Sequence, residues 1–141
     1  MDYILGNLAL GGFAEAAAAP REITALLNVA RERDLYVTDR LYHKVPIVDL
    51  EAIPEAQLTE AVRWLRDALP RHRVLVFDAA GAGRRPSERA ACVVVAYLCS
   101  MCDMAFDEAA GRVLASHPGL ELPPSLGAAV DAVRARLAAE A

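Results

Sequence analysis

The chain has 141 residues, which is the length of one compact domain, and we expect a single domain over residues 1–141. Its 15 basic and 19 acidic side chains give a net charge of −4, so nothing in the charge balance favours nucleic-acid or membrane-surface binding. No apolar run approaches the roughly 18 residues of a membrane span, and the N-terminus lacks the basic and then apolar pattern of a signal peptide. These features predict a cytoplasmic protein.

The N-terminal part of the chain predicts two strands around a short helix. The segment Tyr3 to Leu10 alternates weakly in hydropathy and breaks at Gly11-Gly12, which predicts an edge strand or a hairpin. A short helix is predicted over Phe13 to Ala19, and the apolar run Ile23 to Val29 predicts a buried strand. The charged residues 31–40 predict a solvated connection.

The middle of the chain predicts a third strand and a long helix. The strand covers Leu41 to Leu50, and Asp49 lies near its carboxyl end. After Pro54, apolar residues recur at helical spacing and predict one buried helix face. That face consists of Leu58, Ala61, Val62, Leu65 and Leu69.

The last third of the chain predicts two further helices. Their apolar faces are Phe106, Ala109, Ala110, Val113 and Leu114 in one, and Leu126, Ala129, Val130, Val133 and Leu137 in the other. Strands that alternate with helices predict an α/β fold with a central, mostly parallel sheet of about four to five strands flanked by helices. In such a fold, the functional site lies in the loops at the carboxyl ends of the strands.

The stretch between the long helix after Pro54 and the last two predicted helices has the pattern of an anion-binding loop. Val74 to Phe77 is a continuous apolar run that predicts a buried central strand, and Asp78 follows at its carboxyl end. The small residues from Ala79 to Gly83 allow backbone N–H groups to turn around an anion. Ser87 is a candidate N-cap for the next helix, whose dipole also favours negative charge.

Two common phosphate-binding loops do not fit this stretch. A dinucleotide-binding loop needs a third glycine where this chain has Pro86, and a Walker A loop needs a lysine that is absent here. The stretch resembles the signature H-C-x-x-G-x-x-R-[ST] of the dual-specificity and protein-tyrosine phosphatases. Phe77 stands at the histidine position, Asp78 at the position of the nucleophilic cysteine, and Arg85 at the position of the serine or threonine. The phosphate loop then matches in order as Asp78, Ala79, Ala80, Gly81, Ala82, Gly83 and Arg84.

Two arginines, Arg84 and Arg89, are candidates for the phosphate-binding arginine of the family signature. Arg84 has the spacing of the arginine that grips phosphate in this family. The family also has a tyrosine in the motif A-Y-L eight residues after that arginine, and here Tyr97 fits this distance from Arg89. The loop is therefore longer by five residues, and the sequence does not decide between Arg84 and Arg89. The resemblance further places Asp49 at the position of the general acid that protonates the leaving oxygen.

The family reaction needs a cysteine thiolate that attacks phosphorus, and position 78 carries no sulfur. Cys92, Cys99 and Cys102 all lie in or after the following helix. We therefore predict a pseudophosphatase that acts as a protein-binding or regulatory module, without a cofactor or metal. Its predicted partner is a protein, with phosphoproteins among the candidates and Arg84 to Arg89 as the contact surface. Several positions depart from the signature together, which favours natural loss of catalysis over one substitution introduced to trap a substrate.

Other interpretations of the same residues stay open. Asp78 as a nucleophile would make the chain an active phosphoester hydrolase, although hydrolases of that type need a second aspartate where this chain has Ala80. Asp78 is also an ordinary residue for the end of a strand, and the arginines can pair with carboxylates in a purely structural network. In the phosphate loop, the carboxylate would repel a phosphate about 4 Å away by roughly 1–4 kcal/mol per unit charge.

Overall fold

The computed structural model describes residues 1–36, 38–48, 54–79 and 88–140. Its strands are β1 (Asp2–Leu5), β2 (Leu8–Gly12), β3 (Ala25–Ala30), β4 (Leu41–Ile47) and β5 (Val74–Asp78). Its helices are α1 (Phe13–Ala17), α2 (Glu55–Ala68), α3 (Glu88–Met101), α4 (Phe106–Ser116) and α5 (Leu126–Ala139).

The five strands form one sheet in the order β1-β2-β5-β3-β4. Only the hairpin pair β1 and β2 is antiparallel, and β2, β5, β3 and β4 run parallel to one another. The predicted mostly parallel sheet of four to five strands flanked by helices is therefore confirmed. Because β5 lies between β2 and β3, the residues that follow it emerge at the centre of the carboxyl edge of the sheet.

Helices cover both faces of the sheet, and β5 divides its side chains between them. Val74 and Val76 face the large core beneath α2, α3, α4 and α5. Leu75 and Phe77 face a smaller cluster on the other side, which includes Ala16 of α1. All four side chains are fully buried, as the continuous apolar run predicts for a central parallel strand.

The N-terminal prediction needs one correction. The hairpin is confirmed, but β2 continues through Gly11 and Gly12, and β1 is the edge strand. Gly11 pairs with Phe77 in the sheet. A Cβ atom at Gly11 would lie 2.9 Å from Oε1 of Glu15 and 3.2 Å from Cδ1 of Leu75. Glycine here therefore permits close packing against the next helix and does not end the strand.

The helix predictions agree closely with the structure. All five apolar residues predicted for the last helix are buried in α5, and the α2 face is buried as predicted. In α4, Phe106 and Leu114 are only partly buried. The predicted third strand ends earlier than expected, at Ile47, and Asp49 lies outside the described residues. Over the described ranges, no helix is both long and apolar enough to cross a membrane.

Candidate functional site

The site is built around Asp78, the last residue of the central strand β5. Its side chain is only 5% exposed, because β2 and β3 flank the strand end and α3 packs above it. One carboxylate oxygen, Oδ1, accepts a hydrogen bond of 2.6 Å from the backbone N–H of Ala79. A buried carboxylate needs hydrogen bonds and an opposite charge to offset its lost hydration.

Arg89, in the first turn of α3, supplies that charge. Its Nη2 lies 2.6 Å from Oδ1 of Asp78, and its Nε donates to Oδ2 at 3.2 Å. The backbone N–H of Arg89 also donates to Oδ2, at 3.1 Å. Asp78 thus receives the charged side chain and a backbone amide of the first helical turn together, which ties the end of β5 to the beginning of α3. This pairing is one of those that the sequence analysis left open.

A second carboxylate binds the same guanidinium from the opposite side. Glu32 lies just after β3, and its two oxygens accept hydrogen bonds from Nη1 and Nη2 of Arg89 at 2.7 and 2.6 Å. Nη1 also donates to the carbonyl oxygen of Ile47, at 2.7 Å. A guanidinium carries five N–H donors. Asp78 takes two of them, Glu32 takes two and Ile47 takes one, so the chain itself satisfies the whole group.

We refer to Glu32, Asp78 and Arg89 as the Arg89 cluster. Its two carboxylates and one guanidinium leave a formal charge of −1 where a phosphate would need a positive site. Hydrogen bonding from Arg89 lowers the pKa of Glu32 from 4.5 to about 2, and the same contact raises the pKa of Arg89 further above its usual value. Both groups are therefore fully charged at neutral pH.

The segment that carries Glu32 is fastened to the sheet by two buried or half-buried polar side chains. Asn28, fully buried in β3, donates to the carbonyl oxygen of Arg33 at 2.8 Å and to the hydroxyl of Tyr42 at 2.9 Å. Lys44 of β4 donates to the carbonyl oxygens of Arg31 and Arg33 at 3.0 and 3.1 Å. These bonds hold the backbone on both sides of Glu32, so its approach to Arg89 is preorganised.

Phe77, at the position where the phosphatase signature has histidine, belongs to the apolar packing of the opposite face. Its ring meets that of Phe13 edge to face, with 5.9 Å between centroids. The guanidinium carbon of Arg33 lies 3.7 Å above the Phe13 ring, in a cation–π arrangement. Phe77 therefore has no polar function here and stabilises the strand from the side away from α3.

None of the three thiols stands at the end of β5, where a phosphatase nucleophile would lie, because Cys92 and Cys99 belong to α3 and Cys102 follows it. Burial raises the pKa of Cys92 to about 12, with smaller contributions from the charges of Glu88 and Asp78. Burial also raises the pKa of Cys99 and of Cys102. All three are therefore protonated at neutral pH, and none has the thiolate character that nucleophilic catalysis needs.

The structure describes only part of the predicted site. Asp78, Ala79 and Arg89 are described. The remaining predicted loop residues and the predicted general acid lie outside the described residues: Ala80, Gly81, Ala82, Gly83, Arg84 and Asp49. The helix cap predicted at Ser87 and the replacement at Arg85 also lie outside them. Within the described part of the chain, no group of three or more His, Cys, Asp or Glu side chains is arranged to hold a metal ion.

Sequence reasoning missed Glu32 and the supporting role of Asn28. The charge of residues 31–40 predicts a solvated connection, and Glu32 is indeed exposed. The missing information was strand order: β3 is the neighbour of β5, so the segment that follows β3 lies beside the end of β5. With that order known, the rule that parallel strands share one carboxyl edge would have marked Glu32.

Comparison with known proteins gives similarity in structure only. No protein-family model matches the chain, and no curated protein matches it in sequence. Human DUSP28 superposes with a TM-score of 0.80 at 23% identity, over 100% of both chains. DUSP15 gives a TM-score of 0.80 at 19% identity, over 100% of this chain and 96% of that one. A mouse putative dual specificity phosphatase complexed with zinc tungstate gives 0.79 at 21% identity, over 98% and 88%.

The chain has the dual-specificity phosphatase fold. The similarity covers its full length, so the resemblance of residues 77–85 to the phosphatase signature is matched by the whole architecture. In this phosphatase fold, β5 is the strand that leads into the signature loop, and α3 is the helix that follows it. The Arg89 cluster therefore lies where the loop meets its strand and its helix.

Proposed function

We propose that this chain is a pseudophosphatase: a dual-specificity phosphatase fold that binds a protein partner and does not hydrolyse phosphoesters through a phosphocysteine. The observation that carries the proposal is the state of Arg89. All five of its N–H donors are bound to the chain's own acceptors, and its side chain is only 13% exposed. An arginine in that state offers no free donor to a substrate phosphate.

The position of Asp78 supports the same proposal. It takes the place of the sulfur nucleophile, and its carboxylate adds negative charge at the end of β5. A phosphate dianion that approached it would meet repulsion from Asp78 and from Glu32, each roughly 1–4 kcal/mol per unit charge at about 4 Å. The three free thiols, with their raised pKa values, offer no substitute nucleophile. Free thiols are also typical of a reducing compartment, which supports a cytoplasmic location.

The proposed partner is a protein, and phosphoproteins are candidates. We exclude Arg89 from the contact surface predicted over Arg84 to Arg89, because its guanidinium faces Asp78 and Glu32 and not solvent. If a basic contact surface exists in this loop, it rests on Arg84 and Arg85, which lie outside the described residues. Substituting both with alanine should then weaken partner binding, whereas Arg73→Ala, at the amino end of β5, should not.

Hydrolysis of para-nitrophenyl phosphate tests the catalytic part of the proposal. The native protein, Asp78→Asn and Cys92→Ser should all show only the background rate. A rate in the native protein that disappears in Asp78→Asn would identify Asp78 as a nucleophile and overturn the proposal. A rate that disappears in Cys92→Ser would overturn it by a different route, because it would show that a buried thiol reacts.

A companion variant tests whether the scaffold is otherwise intact. Phe77→His with Asp78→Cys restores the two signature residues, and Glu32→Gln can be added to release Arg89. Turnover by either combination, with a silent native protein, would show a phosphatase scaffold that lacks only its nucleophile. Retention of the fold is checked by circular dichroism, because Phe77→His places a polar ring against Phe13.

A further inference from the structure

We propose that the cavity at the amino ends of β3, β4 and β5 binds an oxyanion, phosphate or carboxylate, that is carried on an apolar body. This cavity lies at the edge of the sheet opposite the Arg89 cluster. The five residues of β5 separate the two edges, which is a distance of about 13 Å along the strand. The inference therefore concerns a second site and is independent of the pseudophosphatase proposal.

Strand order brings three loops together at this edge. Ala25, the first residue of β3, pairs with Leu41 of β4 on one side and with Val74 of β5 on the other. The loops that precede the three strands therefore end side by side, and they enclose a cavity of about 380 Å³. That volume is within the range of small-ligand sites. The polar and charged lining of the cavity consists of Arg21, Thr24, Asp39, Arg40 and His72.

The lining is positively charged, although the chain as a whole is negative. The guanidinium groups of Arg21 and Arg40 and the carboxylate of Asp39 give a formal charge of +1, against −4 for the chain. Within the described part of the chain, neither Arg21 nor Asp39 forms an ion pair or a side-chain hydrogen bond. The opposite charges of the cavity therefore do not neutralise each other, and Arg21 keeps its N–H donors for a ligand.

Arg40 is oriented by the protein before any ligand binds. Its Nη2 donates to the carbonyl oxygens of Ala19 and Pro20, at 2.8 and 3.3 Å. Nε and Nη1 bind no acceptor among the described residues, so three of the five N–H donors remain for a ligand. In this respect Arg40 differs from Arg89, whose donors are all bound to the chain. Because the guanidinium of Arg40 is already held in place, an oxyanion would lose little binding free energy to ordering it.

Thr24 and His72 add a hydrogen-bonded pair to the lining. Oγ1 of Thr24 lies 3.0 Å from Nδ1 of His72 and accepts a hydrogen bond from the backbone N–H of Arg73 at 3.3 Å. Since this contact occupies Nδ1, Nε2 is the ring nitrogen that is left for a ligand. Nε2 carries a proton when Nδ1 accepts from the hydroxyl, and it can then donate to an oxyanion.

The apolar body of the ligand is inferred from Leu41, the first residue of β4. Leu41 is 46% exposed and lines the same cavity as the charged groups. An apolar group that covers this side chain removes apolar surface from water, which favours binding. An oxyanion attached to an aromatic or aliphatic group therefore fits the lining better than a bare ion does.

Isothermal titration calorimetry with phenylphosphonate tests the site, because the carbon–phosphorus bond of this probe resists phosphatases. Arg21→Ala removes a cation and should weaken binding roughly three- to fivefold, whereas Asp39→Asn removes the carboxylate and should strengthen binding by a similar factor. Arg73→Ala is the matched control, because it makes the same charge change at the same edge of the sheet. The guanidinium carbon of Arg73 lies 5.9 Å from the centre of the Tyr3 ring, outside the cavity lining, so this variant should match the native protein.

Benzoate, titrated in parallel, distinguishes the two kinds of oxyanion. Tighter binding of phenylphosphonate assigns the site to a phosphate-bearing ligand, and tighter binding of benzoate assigns it to a carboxylate-bearing one. Either result supports the proposal when Arg21→Ala weakens it. Equal losses in Arg21→Ala and Arg73→Ala would overturn the proposal, because the effect would then follow net charge and not position. So would the absence of binding to the folded native protein, or affinities that neither Arg21→Ala nor Asp39→Asn changes.

Inorganic phosphate tests the apolar part of the proposal. It should bind to the native protein more weakly than phenylphosphonate does, and Leu41→Ser should remove most of that difference. An unchanged difference in Leu41→Ser would overturn the assignment of an apolar body to the ligand.

NMR places the bound anion at one edge of the sheet or the other. The backbone amide signals of Thr24 and His72 should shift on addition of phenylphosphonate, with a concentration dependence that matches the calorimetry. Shifts confined to Ala79 and Arg89 would place the anion at the opposite edge and refute the inference. None of these outcomes depends on phosphatase activity, so the inference and the pseudophosphatase proposal can fail separately.

Discussion

Neutralising Asp78 should destabilise the protein far more than neutralising Glu32, although both carboxylates contact Nη2 of Arg89 at the same 2.6 Å. The difference lies in the surroundings of each pair. Two unit charges about 4 Å apart attract by about 4 kcal/mol at an effective dielectric constant of about 20, and by about 1 kcal/mol in water. The side chain of Asp78 is 5% exposed, so its pair with Arg89 is closer to the stronger attraction of the low dielectric. The side chain of Glu32 is 54% exposed, so its pair with Arg89 is closer to the weaker attraction in water.

The expected magnitudes follow from that contrast. Removing one partner of a buried pair costs roughly 3–5 kcal/mol, and because Arg89 keeps Glu32 we expect about 3 kcal/mol for Asp78→Asn. For Glu32→Gln we expect less than about 1 kcal/mol. Urea denaturation at pH 7 gives both differences in the free energy of unfolding. In a thermal scan, the same losses correspond to roughly 10 °C and less than about 4 °C for a chain of this length.

Asp67→Asn is the matched control for this comparison. Asp67 also pairs with an arginine, Arg66, at 3.0 Å, but its side chain is 67% exposed. Its substitution should change the free energy of unfolding by less than about 0.5 kcal/mol. Equal losses for Asp78→Asn and Glu32→Gln would refute the reasoning, because burial would then not decide the strength of the two pairs. A loss below 1 kcal/mol for Asp78→Asn would show that Arg89 does not depend on it.

Three further predictions concern the surroundings of the site. The pKa of Glu32 in the folded protein is lowered to about 2, so the ion pair of Glu32 with Arg89 should stabilise the fold fully above the ordinary pKa of 4.5 and lose its effect as the pH falls towards 2. The difference in the free energy of unfolding between the native protein and Glu32→Gln should therefore shrink over that window, which urea denaturation at several pH values measures. Asn28→Ala should lower the free energy of unfolding by roughly 2–4 kcal/mol, because it leaves the buried partners of the amide without a hydrogen bond. A loss below about 0.5 kcal/mol would show that Asn28 does not hold the segment that carries Glu32. Cys102, which is exposed, should react with a thiol reagent in the folded protein, whereas Cys92 should react only after unfolding; rapid labelling of Cys92, identified by peptide mapping, would contradict its burial.

The sequence predicted the elements of this fold well because their signals are local. The continuous apolar run Val74 to Phe77 has the burial of a central strand, and the apolar spacing from Leu126 to Leu137 has the burial of α5. Element ends were less accurate where packing, and not residue preference, decides them. Gly11 continues β2 because a neighbouring helix and strand come close, although glycine in a sequence ordinarily suggests a break.

The sequence predicted those site residues that are close to one another in the chain, but not the residue that a neighbouring strand brings to them. The signature pattern identified Asp78 at its nucleophile position, and the distance of eight residues from Arg89 to Tyr97 made Arg89 a candidate for the phosphate-binding arginine. Glu32 lies 57 residues from Arg89, and no local pattern connects the two. Their contact depends on the placement of β3 beside β5, which propensities and spacing do not determine. The sequence could therefore predict the pairing of Arg89 with Asp78, but not its pairing with Glu32.

The same geometry argues against Asp78 as a nucleophile in an active hydrolase. A carboxylate that attacks phosphorus must direct a lone pair of one oxygen at the substrate, yet Oδ1 accepts from Ala79 and Nη2 of Arg89, and Oδ2 accepts from Nε and the backbone amide of Arg89. Each of these bonds stabilises the carboxylate and lowers its nucleophilicity. Breaking them to free an oxygen would also remove two of the five hydrogen bonds that orient the guanidinium of Arg89. In this arrangement the carboxylate can orient the arginine or direct an oxygen at a substrate, but it cannot do both.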